Sequence, residues 1–490
     1  MTIEKLSDEV LFRLFRCYLD SSPQHWPRLV HICRNWRRII FASQRALHLR
    51  LFCTHGSPVS KALDYWPALP ITIQYGGSPT LNPPAPEDEG NIMVALKQSG
   101  RVSGINLTVT RSLLANISTI KEPFSELEEL VLLSRDDTQL ILPSAFRWGP
   151  RLRRLHSTGI TFPALLRRLS SSSNLVDIRL HGISYNRYLS PKALAKTLSG
   201  MAQLQSLSLH FHSTANRITM PLPQERVLLH ALARLSFRGT TMFLEGFLAM
   251  IDAPRLGGIE ITFLDEPTFG VSNLCTLIDR VEMQKSHRQA DILFSEHSAT
   301  ISLTQPAPMY LKLEVLCKSL SWQLFYMAQI CRFFSTFLFC VDDLRITNRL
   351  SSRRNNEKRW LDLIRPFRGT KWFYVAGDFS TDILFALHKS SRRRRETVLP
   401  ALHKLCILEP ESDCPPLREA IESFAVESFV GSCWLSGRFI AVEYERPRHA
   451  CSLHGSGTMC TQCQEHMLTY FDQDLFLSRL RLRCLQMTSF

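Results

Sequence analysis

The chain has 490 residues, of which 45% are hydrophobic and 21% charged, with a formal net charge of +14. Such a composition can bury a large core, which excludes global disorder. The longest apolar stretch, Phe325 to Val341, is interrupted by Gln329 and Arg332 and falls short of the roughly 20 residues that span a bilayer, so it is read as a buried helix and no membrane partner is expected. The opening Met1-Thr2-Ile3-Glu4-Lys5, with Asp8 and Glu9 close behind, lacks the order of a secretory signal. The protein is therefore expected in the cytoplasm, with the nucleus as the alternative. Fourteen Cys in a reducing compartment are expected as thiols, without a disulfide framework. The positive charge is spread along the chain except at Arg392-Arg393-Arg394-Arg395, which follows Ser390-Ser391 and reads as a solvated loop. A nucleic-acid or nuclear-import patch is the weaker reading of that run.

In chain order, the first element is an amphipathic helix. Leu6, Val10, Leu11, Leu14 and Phe15 gather on one face, and the acids Asp8-Glu9 after Ser7 suit the positive end of a helix starting there. Ser21-Ser22-Pro23 and Pro27 break the chain before a second amphipathic segment with Leu29, Val30, Cys33, Trp36, Arg37 and Ile40 at helical spacing. About 40 residues cannot cover both apolar faces unaided, so a partner or the following domain must do so.

These residues resemble the F-box motif, in Leu6-Ser7-Asp8-Glu9-Val10-Leu11, Leu14-Phe15 and Leu29-Val30-His31-Ile32-Cys33-Arg34-Asn35-Trp36-Arg37. The resemblance implies docking to a Skp-type adaptor and, through it, to a cullin. It assigns the adaptor contact to Leu6, Val10, Leu11, Leu14, Phe15, Leu29, Val30, Cys33, Trp36 and Arg37. The family's Pro at the second motif position is Ser7 here, which removes a rigid helix start. The alternative is a helical cap on the domain that follows.

Leu47–Leu51 and Leu69–Ile73 alternate as strands, and Ser78 to Gly90, with four Pro, reads as a surface loop. A repeat follows. The pattern apolar-x-x-apolar-x-apolar starts at residues 102, 127, 175, 204, 232 and 256, with Leu152-Leu155 a weaker member whose third position is Ser157, and the seven starts are spaced by 25, 25, 23, 29, 28 and 24. Those steps fit the roughly 20 to 29 residues of leucine-rich repeats. Between the strands, Ser112–Ile117, Pro163–Leu169 and Pro191–Leu198 read as short helices. Past residue 262 the period degrades, although Ile292–Phe294, Thr300–Leu303, Leu311–Val315, Val341–Ile346, Trp372–Val375 and Leu402–Ile407 still read as strands and Leu417 to Val430 as a helix with Leu417, Ile421, Phe424, Ala425 and Phe429 on one side.

The expected fold is therefore α/β: an F-box-like helical module over 1–45, then a leucine-rich-repeat solenoid of parallel strands over 46–445, irregular after about 285, then a divergent tail over 446–490. A separate α/β subdomain from about 285 is the alternative. Leu51-Phe52-Cys53-Thr54, Trp66-Pro67-Ala68-Leu69-Pro70-Ile71, Ile251-Asp252-Ala253-Pro254-Arg255-Leu256 and Ser321-Trp322-Gln323-Leu324 resemble segments of the F-box proteins with leucine-rich repeats that abound in mushroom-forming fungi. This wider resemblance implies a substrate receptor of an SCF-type ubiquitin ligase. A protein-binding scaffold without a ligase role is the alternative.

No nucleotide-binding loop, zinc-protease helix or nucleophile elbow occurs, so no catalytic residue and no cofactor are expected. Asp136-Asp137 and Asp342-Asp343 read as solvated residues at strand ends. Cys451, His454, Cys460, Cys463 and His466 have zinc-like spacing, but the five residues between the halves are shorter than in the usual fingers, so no metal site is assigned. A client protein is expected on the strand-bearing concave face, where the basic positions Arg153, Arg179 and Arg234 point to an acidic partner.

Overall fold

A computed structural model of the chain describes residues 6–54, 59–75, 86–134, 149–159, 169, 172–183, 190–212, 226–264, 270–280, 288–304, 310–348, 357–392, 398–408, 416–435 and 438–445. The tail cluster, Asp136-Asp137 and, apart from buried Leu169, the helix expected at Pro163–Leu169 lie outside the described residues. The chain forms two compact units, Met1–Leu256 and Gly257–Phe490.

The first unit opens with helices α1 (Asp8–Ser21), α2 (Trp26–Val30) and α3 (Arg34–Ala42). Ser7 caps α1, its Oγ accepting the Val10 N–H at 3.4 Å. The side-chain cap satisfies one of the leading N–H groups that a helix leaves without an internal partner. Helix α4 (Val59–Tyr65) follows. The strand expected at Leu47–Leu51 forms only from Leu51: Leu47 and His48 lie in a turn, where His48 holds φ at 49°, in the left-handed region that strands do not use, and Leu49 and Arg50 are irregular. Strand β1 spans only Leu51–Cys53. The end of the expected loop at Ser78 to Gly90 is also revised: Pro86–Gly90 open helix α5 (Pro86–Leu96). A proline in the first turn sacrifices no helical hydrogen bond, and acids suit that end of the dipole.

Strands β2 (Ile71–Tyr75), β3 (Val102–Val109), β4 (Glu129–Ser134), β5 (Arg154–Thr158), β6 (Asp177–Ile183), β7 (Ser206–Phe211) and β9 (Arg234–Gly239) continue from β1 as an all-parallel ladder. A small parallel pair, β8 (Val227–Leu228) and β10 (Ile251–Asp252), flanks it. The repeat positions fall into register across the ladder. Ile105 pairs with Leu130, Leu130 with Leu155, Leu155 with Ile178, Ile178 with Leu207, and Leu207 with Leu235, all buried. Each repeat also begins alike, with one carbonyl accepting two successive N–H groups of the next strand's start: Glu128 from Arg153 and Arg154, Arg153 from Val176 and Asp177, Val176 from Gln205 and Ser206, and Gln205 from Ala233 and Arg234. The connections include α6 (Arg111–Ile117), capped by Thr110, α7 (Pro191–Leu198), capped by Ser190 and opened by Pro191, and α8 (Thr241–Leu248), whose Phe243 packs on Phe211 and Phe237.

In the second unit the strand order is β11 (Gly258–Phe263), β14 (Tyr310–Leu316), β13 (Ser298–Thr304), β12 (Gln289–Phe294), β15 (Asp343–Asn348), β16 (Trp372–Ala376), β17 (Lys404–Leu408) and β18 (Ala441–Glu445). The expectation of parallel strands fails at β13, which runs antiparallel to both β12 and β14. Connections of residues 295–297 and 305–309 are too short for a parallel crossover, which takes a dozen or more residues. The remaining pairs are parallel.

Helices α9 (Ser272–Arg280), α10 (Leu320–Phe333), α11 (Ser335–Leu338), α12 (Glu357–Ile364), α13 (Gly377–Arg392) and α14 (Pro416–Leu435) belong to this unit, whose core includes a cluster of Phe294, Trp360 and Phe379. Helix α13 extends through Ser390-Ser391 to Arg392, the first residue of the arginine run read as a loop, and Arg393, Arg394 and Arg395 lie outside the described residues. In α14, Ala425 and Phe429 are buried as expected but Phe424 is 58% exposed, because its neighbour Val426 takes the inward position instead. Among the described residues, no helix is long and apolar enough to cross a membrane.

Candidate binding surfaces

The N-terminal helices divide the ten residues assigned to adaptor contact into two groups. Leu11, Phe15, Leu29 and Val30 are buried within the first unit, and Trp36, half-buried, meets Phe15 edge-on at 4.7 Å. Arg37 is anchored inward, its Nε donating to the Val30 carbonyl at 3.0 Å. Leu6 is half-buried and Cys33 exposed, its Sγ capping α3. Val10 and Leu14 are 42% and 49% exposed, and with Tyr18 at 40% they form a stripe along α1 at four-residue spacing. The adjacent stripe of Leu11, Phe15 and Leu19 faces the core. Ile32, at 57% exposed, is a further uncovered apolar side chain of this module. Arg38 pairs with Asp8 at 2.6 Å and holds that carboxyl below its usual range.

The module is not covered by its own residues alone. Trp26 packs edge-on against Trp66 at 4.7 Å, Phe41 lies near both, and the Trp26 indole N–H donates to the Arg50 carbonyl at 2.6 Å.

The second surface is the outward face of the first unit's ladder. Strand geometry sends alternate residues to opposite faces, so with the leucines buried the intervening positions look out. In register these are Gly104, Glu129, Arg154, Asp177, Ser206 and Arg234, and beside them Asn106, Val131, His156, Arg179, Ser208 and Ser236. Of the three arginines assigned to a client, Arg179 sits in the second row and pairs with Asp177 at 2.9 Å. Arg234 sits in the first row, and Arg153 lies just ahead of β5. All three are exposed, on three different strands or their approaches. Arg154 is offset by Glu129 at 3.4 Å, whereas Arg153, Arg234 and Arg238 make no ion pair among the described residues. The face is therefore net basic.

Sequence reasoning passed over three residues on this face. His156 and His181 meet edge-on at 4.9 Å, and His181 stacks on His210 at 4.0 Å with the rings 5° from parallel. Ser208 Oγ lies 3.3 Å from Nε2 of both His181 and His210, and Ser236 Oγ 3.2 Å from Nε2 of His210. A hydroxyl has one proton, so Ser208 donates to one imidazole and accepts from the other, which fixes opposite protonation at the two Nε2 atoms. A bulge positions the stack: the register shifts between Leu180 and Ile183, and Gly182 adopts φ 66°, open to glycine at little cost. Burial, followed by repulsion from His210, His156 and Arg179, pushes His181 down to about 4. His156 is also lowered, chiefly by burial and then by Arg179, with Asp177 opposing. The signal in the sequence was a recurring dipeptide, Leu155-His156, Leu180-His181 and Leu209-His210, in three consecutive repeats.

Three buried polar atoms on this same outward face lack a hydrogen-bond partner among the described residues: Thr72 Oγ1, Asn106 Oδ1 and His156 Nε2. Buried polar groups are ordinarily satisfied, so their alignment on one face marks a surface short of partners.

The second unit's outward face is electrically closed by comparison. Lys312 bonds Glu260 at 2.7 Å, Lys404 bonds Glu443, Lys371 bonds Asp342 at 2.8 Å, and the Arg345 guanidinium lies 4.6 Å from the Tyr374 ring centre. Asp342-Asp343, read as solvated, are only partly so: Asp343 Oδ1 is buried without a partner among the described residues, and burial raises its carboxyl above the usual range. Among the described residues, no group of three or more His, Cys, Asp or Glu side chains is arranged to hold a metal ion.

No protein-family model matches the chain, and no curated protein matches it. Among solved structures, the leucine-rich repeat-containing protein LegL7 from Legionella pneumophila aligns over 78% of this chain and 98% of its own, at 12% identity and a TM-score of 0.26. A match at that score adds no weight to the fold assignment. The in-register ladder of buried leucines carries it: the first unit is a stack of parallel strands and connecting helices, consistent with a leucine-rich-repeat-like solenoid.

Proposed function

We propose that this chain is a repeat-based protein-binding scaffold and, more finely, a client receptor of an SCF-type ubiquitin ligase. In this reading the N-terminal helices dock a Skp-type adaptor, the outward strand face of the first unit holds a client protein, and the chain contributes proximity rather than bond chemistry. The observation that carries the reading is the exposed apolar stripe Val10, Leu14 and Tyr18 on α1, beside a stripe that is already buried. An amphipathic helix with one apolar edge left in solvent is suited to helix-in-groove recognition. The resemblance of residues 6 to 37 to the F-box motif supports an adaptor as the occupant.

The burial pattern selects the test. A charge at Leu11 would unfold the module, because that side chain is interior. Val10→Asp with Leu14→Asp attacks only the exposed stripe. Loss of such anchors typically costs about 2 to 4 kcal/mol, a roughly 30- to 1000-fold fall in affinity, so adaptor co-purification should disappear while the circular dichroism spectrum is unchanged. Retention of the adaptor by a folded double variant would refute the docking surface.

A second reading, a scaffold whose helices only cap the stack, is favoured by the core shared between Trp26 and Trp66. Capture of adaptor, cullin and a ubiquitinated client with the parent chain separates the two, since only the ligase reading requires all three together.

A further inference from the structure

The outward face of the first unit combines three features: imidazoles aligned across β5, β6 and β7, arginines beside them on β9 that make no ion pair among the described residues, and a ring nitrogen at one end of the row with no hydrogen-bond partner among those residues. His156, His181 and His210 form a continuous contact series, bridged by Ser208 and ended by Ser236. The charged groups facing the row are Glu129 from β4, Arg154 from β5, Asp177 and Arg179 from β6, and Arg234 and Arg238 from β9. Glu129 and Asp177 are each engaged by an arginine, and among the described residues Arg234 and Arg238 make no ion pair. His156 Nε2 is buried with no hydrogen-bond partner among the described residues. A partner supplying carboxylates would meet the arginines and lie against the half-exposed imidazole rings together.

We infer that this histidine row recognises an acidic peptide segment of a partner protein and that binding is coupled to proton uptake by the row. The inference rests on the reading of this face as a client surface, and extends it by naming the client's chemistry and its pH dependence. Unoccupied, His156 and His181 are held below the usual imidazole range, chiefly by burial. A carboxylate laid against it favours the imidazolium form, raises the pKa of the imidazole it touches, and draws a proton from solvent. Binding linked to uptake of a proton strengthens as pH falls, by up to about tenfold per pH unit for one proton.

The probe is a fluorescein-labelled peptide of alternating Glu and Gly, titrated with the full chain by fluorescence anisotropy at pH 7.5 and pH 6.0. Its carboxylates remain ionised across that range, since glutamate titrates near pH 4.3. Affinity should rise at least about fivefold at the lower pH. In His156→Gln/His181→Gln/His210→Gln the rise should vanish, and the milder His181→Asn should reduce it; melting curves at both pH values confirm that the variants are folded. Arg234→Ala/Arg238→Ala should weaken binding at both pH values and leave their ratio intact. Binding that responds to the arginine variant but not to pH would overturn the proton coupling while leaving the client surface standing. Binding indifferent to both sets of variants, or absent at both pH values, would overturn the face as an acidic-segment site altogether. A failure of adaptor docking would affect none of these outcomes, since the probe reads the strand face alone.

Discussion

The two units use the same alternation of buried and outward residues but assemble it differently. In the first, every strand of the main ladder is parallel to its neighbours and the apolar repeat positions align from β3 to β9. In the second, β12, β13 and β14 fold as successive antiparallel strands, and parallel pairing resumes at β15. The side-chain pattern cannot distinguish the two cases, because a strand of either direction alternates with period two. Connection length does, since a parallel return needs room for a crossover. The faces differ accordingly. Lys and Glu stand opposite one another on the second unit, whereas in the first Arg154 and Arg179 meet acids but Arg153, Arg234 and Arg238 make no ion pair among the described residues.

If the two units are equally well packed despite this difference, emptying either aromatic core should cost the same. Phe237→Ala in the first unit and Phe294→Ala in the second both remove a fully interior ring, for about 3 to 5 kcal/mol each. Hydrogen exchange should show the loss in β7 and β9 for the former and in β12 and β15 for the latter. A much smaller loss for Phe294→Ala would mean the interrupted unit is the looser one.

The hairpin is held by a buried amide. Gln323 of α10 donates to the carbonyls of Ser295, in the β12–β13 turn, and Cys317. Gln323→Leu strands both carbonyls and should destabilise the second unit by about 1 to 3 kcal/mol, read by urea denaturation. The first unit's counterpart is Gly182, where a Cβ would meet the Gly159 backbone nitrogen at 3.2 Å and φ is left-handed. Gly182→Ala should cost roughly 1 to 2 kcal/mol and change the His181 and His210 ring signals in NMR spectra. Unshifted signals would separate the bulge from the histidine stack.

The smallest effect is a dependence on pH. His181 binds a proton near 6.5 when unfolded but only near about 4 when folded, and His156 shifts the same way. The unfolded chain therefore takes up more protons across that window, and stability should fall as pH drops from 6.5 towards 4. Both rings are partly in solvent, which screens the effect to a few degrees of Tm. In His181→Gln the slope should flatten; an unchanged slope would assign it to other groups.

The sequence carried the repeat positions of the first unit because leucines at near-constant spacing record the interior directly, as Leu130, Ile178, Leu207 and Leu235 illustrate. It carried less where one residue type serves two environments. Leu11 and Leu14 lie on neighbouring stripes of one helix, and nothing in their spacing tells that the first is interior and the second in solvent. Leu47–Leu51 alternated like a strand until the backbone turned at His48. The histidine stack stayed hidden because a search for leucines reads only the inward positions, and because the bulge that brings His181 onto His210 depends on one glycine.

The indole of Trp26 has a practical consequence. By donating to the Arg50 carbonyl, just ahead of edge strand β1, it occupies an acceptor that a neighbouring strand would otherwise use, and its ring covers Trp66. A cut at residue 45, the natural choice for producing the repeats alone, would expose that aromatic surface and an uncapped sheet edge, the two features that make truncated repeat proteins aggregate. A fragment meant to stay in solution has to carry α1 to α3 with it.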